Sequence, residues 1–145
     1  MKKLIVLVTM VLALAFATTA LAANNGAILS AQEKTTEKMV SALTTSEGTL
    51  ASFSTALTPE FKKNLTDENY GKLKKDMADK LGSMKTYRLI EVAKFDNIDR
   101  LVYRAEFSKE KVVNLVFFFN KEEKPLLVNF QALIVPPAPA KEAGK

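Results

Sequence analysis

Few side chains in this 145-residue sequence are equipped for acid–base or nucleophilic chemistry. There is no Cys and no His, which removes thiolate nucleophiles, iron–sulfur ligation, thiolate zinc sites, imidazole bases and histidine metal ligands. The best-placed carboxylate is Glu91. Tyr87, Leu89, Glu91, Ala93 and Phe95 alternate along one row of an expected strand, and Glu91 is the acid within that row. Tyr103 falls on the same expected face of the next strand. A carboxylate in an apolar row is hard to ionise, and a nearby phenol can donate to a developing oxyanion. Glu91, Tyr87 and Tyr103 are therefore the candidate catalytic set for proton transfer. A β-bulge around Ile90–Glu91 would switch the parity and turn Glu91 outward into a solvated or ion-paired role.

Other chemistries find less support. Asp96, Asn97 and Asp99 crowd one turn, but such residues favour turns for backbone reasons, and the spacing of a calcium loop with its closing Glu is missing. No metal and no cofactor is expected. The five glycines compose no phosphate-cradling loop. The formal charge is +5, and Lys2 and Lys3 account for two of those charges. Lysines alternate with acids around the expected third helix, while Lys62, Lys63, Lys72, Lys74 and Lys75 make a local positive area that reads as a solvated face or, alternatively, as a contact for an anionic surface. No nucleic-acid partner is expected.

Positioning these residues requires a folded unit, and its limits are legible. Lys2 and Lys3, an uncharged apolar run from Leu4 to Ala17, and the small-x-small triplet Ala20-Leu21-Ala22 have the form of an export signal. Residues 1–22 are accordingly expected to be removed after Ala22, leaving a periplasmic or secreted protein. The apolar run is short of the ~20 residues that cross a bilayer, so no stable membrane span is expected after cleavage. Residues 23–31 read as a flexible lead-in. Residues 136–145 begin Pro-Pro-Ala-Pro-Ala and read as an extended tail that cannot pack. Residues 32–135 are left as a single domain.

That domain divides by hydrophobic period. Met39, Val40 and Leu43 trace a helical stripe starting near Thr35, Gly48 breaks it, and Leu50, Phe53 and Leu57 continue at helical spacing. Thr58-Pro59-Glu60 reads as an N-cap, a first-turn proline and a first-turn acid. Thr66 caps a helix in which Tyr70, Leu73, Met77 and Leu81 share one face, and Gly82 ends it. After Gly82 the period becomes two. Four strands follow, separated by short polar turns, as in an antiparallel meander. The class is α+β, with about three N-terminal helices packed on a curved four-stranded antiparallel sheet. Leu101, Tyr103, Phe107, Leu115, Phe117 and Phe130 belong to the face expected to meet the helices. The reverse face, including Val116, Phe118, Leu127, Asn129, Gln131 and Leu133, is too apolar for a plain solvated surface. These six residues are the candidate ligand or interface positions.

The order of elements resembles that of the nuclear-transport-factor-2-like superfamily, a cystatin-like architecture, and particularly its small exported bacterial group designated DUF3887. Most of the likeness lies in the phrase LTPEFKKNLTDENYGKLKKDMADKLGSMKTYRLIEV, Leu57 to Val92. The resemblance implies helices lying across a strongly curved sheet, with a pocket between them. Relatives include isomerases and dehydratases as well as binding domains, so the fold does not choose an activity. The expected function is a non-catalytic exported binding or interaction protein. It would take a small apolar ligand or a protein partner in the helix–sheet pocket or on the reverse face, or form a homodimer through the sheet. The alternative is a small cofactor-free isomerase or dehydratase using the pocket carboxylate.

Overall fold

The computed structural model describes residues 5–9 and 25–136 of the chain. Five strands form one antiparallel sheet: β1 (Ile5–Thr9), β2 (Met84–Lys94), β3 (Ile98–Phe107), β4 (Val113–Asn120) and β5 (Leu127–Ile134), in the order β1-β5-β4-β3-β2. The last four are the expected meander. The helices α1 (Asn25–Thr44), α2 (Pro59–Asn64) and α3 (Asp67–Leu81) pack with this sheet in an α+β arrangement. No helix among the described residues is long and apolar enough to cross a membrane. Of the expected leader only Ile5–Thr9 is described, and of the expected tail only Pro136; the remainder of both lies outside the described residues.

Local chemistry explains where the helices stop and start. The Thr58 hydroxyl accepts from the Phe61 N–H, Pro59 occupies the first turn and Glu60 follows it, which satisfies a helix N-terminus with both an acceptor and negative charge. Thr66 does the same for α3 by accepting from the Asn69 N–H at 3.2 Å. Gly82 ends α3 at φ 79°, where a Cβ would run into the Ser108 hydroxyl. That close approach lets Ser83 and Ser108 exchange hydrogen bonds, fastening the helix end to the β3–β4 turn.

Two expectations about the helical layer are corrected. α1 begins at Asn25, well before Thr35, so residues 25–31 are helix and not a loose lead-in. Its inward residues in that half include Gln32, Thr35 and Thr36, all buried, and a polar inward face leaves no hydrophobic stripe to read. The Leu50–Leu57 stretch forms two short 3₁₀ turns, Leu50–Ser52 and Ser54–Ala56, not an α-helix. Phe53 and Leu57 are nonetheless buried, as their spacing implied.

The core lies between the helices and one sheet face. Met39, Leu43, Phe61, Tyr70, Leu73, Met77 and Leu81 meet Leu101, Phe107, Leu115, Phe117, Phe119 and Phe130. Four rings form a ladder across β2, β3, β4 and β5: Tyr87 to Tyr103 at 5.8 Å, Tyr103 to Phe117 at 5.6 Å and Phe117 to Phe130 at 5.0 Å between centroids. Tilted and edge-on contacts of this kind add to the gain from burying the rings. The ladder occupies the helix-facing side of the sheet with packed aromatic side chains.

Candidate functional site

Two irregularities in the sheet decide which side chains reach the reverse face. In β2, Leu89 lies opposite Tyr103 and Glu91 opposite Val102, leaving Ile90 as an extra residue. A bulge of this type resets the alternation, so Ile90 and Glu91 both line the reverse face. In β5 the register shifts between Phe118 and Phe119, whose partners are Asn129 and Leu127. Leu127 is thereby placed in the core, fully buried.

Beyond the bulges the reverse face is ordered in rows across four strands. Glu91, Val102, Val116 and Gln131 lie opposite one another in the middle row. On one side run Arg88, Arg104, Asn114 and Leu133; on the other, Ala93, Arg100, Phe118 and Asn129. The middle row and parts of its neighbours line an open groove of about 460 Å³, walled by Ile90, Val102, Val116, Phe118 and Leu133, with Glu91, Arg100, Asn114 and Gln131 as its polar groups. Val102 and Val116 are 8% and 6% exposed, although neither belongs to the helix-side core. The groove floor is therefore a second apolar surface sunk below its polar rim.

All three arginines of the chain, Arg88, Arg100 and Arg104, stand in these rows. Arg100 donates from Nη2 to Glu91 at 2.7 Å and lies 5.3 Å from the centre of the Phe95 ring. Arg104 donates from Nε to the Asn114 Oδ1 at 2.8 Å. Arg88 is exposed and directly opposite Arg104. Arg88 and Arg104 lie just past the Asn114–Leu133 end of the groove, where with Glu106 and Lys111 they line an adjoining hollow of about 220 Å³. Their guanidinium groups present planar donors suited to a carboxylate or phosphate.

The proton-transfer set does not assemble. Tyr87 and Tyr103 lie together on the helix side, whereas the bulge sends Glu91 to the opposite face, where it is exposed and ion-paired with Arg100. The expectation that the three share a face is corrected by the bulge. Burial, reinforced by the charges of Glu33 and Glu37, pushes the Tyr103 hydroxyl up to about 12. Burial and the charge of Glu37 also raise Tyr87. Both phenols keep their protons across the neutral range. Among the six reverse-face candidates, Val116, Phe118, Gln131 and Leu133 line the groove. Asn129 stands in the flanking row opposite Phe118, and its side chain accepts from the Phe130 N–H. Leu127 leaves the set for the core.

A second polar centre was hidden in the turn Asp96–Asp99. Asp99 is 2% exposed. Its Oδ2 accepts from Gln32 Nε2 at 2.8 Å and from Lys94 Nζ at 3.4 Å, and its Oδ1 accepts from Lys121 Nζ at 2.5 Å. Burial pushes this carboxyl up, but the hydrogen bonds from Lys121 and Gln32, with the charge of Lys94, outweigh it and hold Asp99 below its ordinary value. The residue joins α1, β2, β3 and the β4–β5 turn in one ion cluster. Its sequence signal was parity: Asp99 alternates with Leu101, Tyr103, Ala105 and Phe107, the inward row of β3. No group of three or more acids among the described residues could hold a metal. Comparison of the chain with protein-family models, curated protein sequences and solved structures finds no match in any of the three.

Proposed function

We propose that this is an exported, non-catalytic binding protein whose site is the reverse-face groove, and whose ligand has an apolar body and an anionic head. The observation that carries this reading is the sunken Val102–Val116 floor beside Arg104 and Arg88. The groove's volume of about 460 Å³ is of the order of small-molecule sites, about 300–1,000 Å³, and combines an apolar lining with a few polar groups. An aliphatic chain laid over Val102, Val116, Phe118 and Leu133 would release ordered water from both surfaces. Its carboxylate would meet the Arg104–Asn114 pair. The separation of Glu91 from Tyr87 and Tyr103 favours binding over the proton-transfer alternative.

The signal-like N-terminus supports export, and helices followed by a bulged antiparallel meander support membership of the nuclear-transport-factor-2-like superfamily and its DUF3887 group. Within that family reading, this chain would differ in using the back of the sheet, since its helix side is packed by the aromatic ladder.

Titration calorimetry with dodecanoate tests the assignment. Saturable one-to-one binding is expected, weakened at least about tenfold by Arg104→Gln and lost in Val116→Lys, which places a charge on the groove floor. Equal binding by both variants, or none by the parent protein, would overturn it.

A further inference from the structure

The two edges of the sheet are built differently. β2, at one edge, carries Lys85, Arg88, Glu91 and Lys94 and has register shifts at two places. Charges and bulges are the usual means by which an exposed edge is kept from pairing with another strand. β5, Leu-Val-Asn-Phe-Gln-Ala-Leu-Ile, carries no charge, and neither do its neighbours Leu126 and Val135. By composition it is an inner strand.

In the full chain its outer side is covered in two pieces. Leu57 forms a parallel bridge to Leu127, and the Thr58 N–H donates to the Leu127 carbonyl at 3.0 Å, which seals one end. The rest is covered by β1, which pairs antiparallel with Ile5 opposite Ile134, Val6 opposite Leu133, Val8 opposite Ala132 and Thr9 opposite Gln131. β1 lies inside the segment read above as a removable export signal. If that segment is cut after Ala22, the backbone of Gln131–Ile134 loses its partner while the Leu127 end stays closed.

We propose that the Gln131–Ile134 edge of the processed protein is a strand-accepting site for an extended, uncharged aliphatic segment of another polypeptide, bound antiparallel in the register that Ile5–Thr9 adopts. The inference rests on removal of the leader and is independent of the groove's ligand. Main-chain hydrogen bonds supply affinity in such strand addition, and alternate side chains supply selectivity. The slot is short, bounded by the Leu57–Thr58 bridge at one end and Pro136 at the other, and α3 runs close to β1. A single short strand therefore fits it better than the edge of a second whole domain.

The test uses protein recovered after the full chain is expressed with its own leader. Intact mass fixes the N-terminus, expected at Ala23. A peptide of residues 2–10 is then added, beside the same peptide carrying Val6→Pro and Val8→Pro, and amide hydrogen exchange is followed. The unaltered peptide is expected to slow the edge-facing amides of residues 131–134 at least about tenfold, and the proline peptide to leave them unchanged. A recovered mass that still includes residues 5–9 would overturn the proposal, as would equal slowing by both peptides or slowing by neither. Protection of the same amides by dimerisation without peptide would overturn it in favour of a second copy as the occupant.

Discussion

Phe117 and Phe118 are adjacent and chemically identical, yet the pleat gives them opposite duties. Phe117 is fully buried between the rings of Tyr103 and Phe130, while Phe118 walls the groove. Phe117→Ala is expected to cost about 3–5 kcal/mol in equilibrium unfolding, from lost burial plus the cavity left behind. Phe118→Ala should cost about 1 kcal/mol, within the range of ordinary substitutions, with its larger effect on dodecanoate binding. Near-neutral Phe117→Ala beside a severe Phe118→Ala would invert the assigned faces. Asp99 supplies a second test. Its folded-state carboxyl titrates below the unfolded value of about 3.9, so its contribution is complete above that pH and is lost as pH falls through the depressed folded value. Asp99→Asn should lower stability at pH 7 by about 2–4 kcal/mol, because Lys121 and Lys94 lose their shared partner, and should flatten the decline of stability below about pH 4. Unchanged acid sensitivity in the variant would remove Asp99 from its cause.

Elements were legible where one physical signal dominated. The period of 3.6 in Tyr70, Leu73, Met77 and Leu81, bracketed by the Thr66 cap and Gly82, specifies α3, and the period of two specifies the meander. The first half of α1 was illegible because its inward side chains include the buried polar residues Gln32, Thr35 and Thr36, of which Gln32 donates to Asp99. The bulges were legible only as a condition: alternation cannot say where it will slip, and the slip at Ile90 decides whether Glu91 faces the tyrosines or the groove. Four of the six reverse-face candidates line the groove, while Leu127 crossed over at the β4–β5 shift. The arginines went unused in the site reading, although Arg88, Arg100 and Arg104 already had reverse-face parity. Gly82→Ala tests the junction between the helical and sheet portions. With φ 79° and a Cβ colliding with Ser108, it should destabilise the protein by more than about 1 kcal/mol, measured by thermal unfolding. A stabilised variant would contradict the junction as described.

Taken whole, the chain divides its apolar surface between two destinations. Helices and an aromatic ladder close one side of the sheet. The other side keeps a sunken strip of Val102 and Val116 bordered by every arginine in the sequence. A sheet backed by helices on one face alone normally turns a polar face to water, and this strip is the feature on which the proposed binding function rests. Methyl-resolved NMR during a dodecanoate titration of the protein reads both faces at once. Shifts concentrated on the methyl groups of Val102, Val116 and Leu133, with Leu101, Leu115 and Leu127 unmoved, are the expected result. Shifts concentrated on the latter three, or on none of the six, would contradict the reverse face as the binding surface.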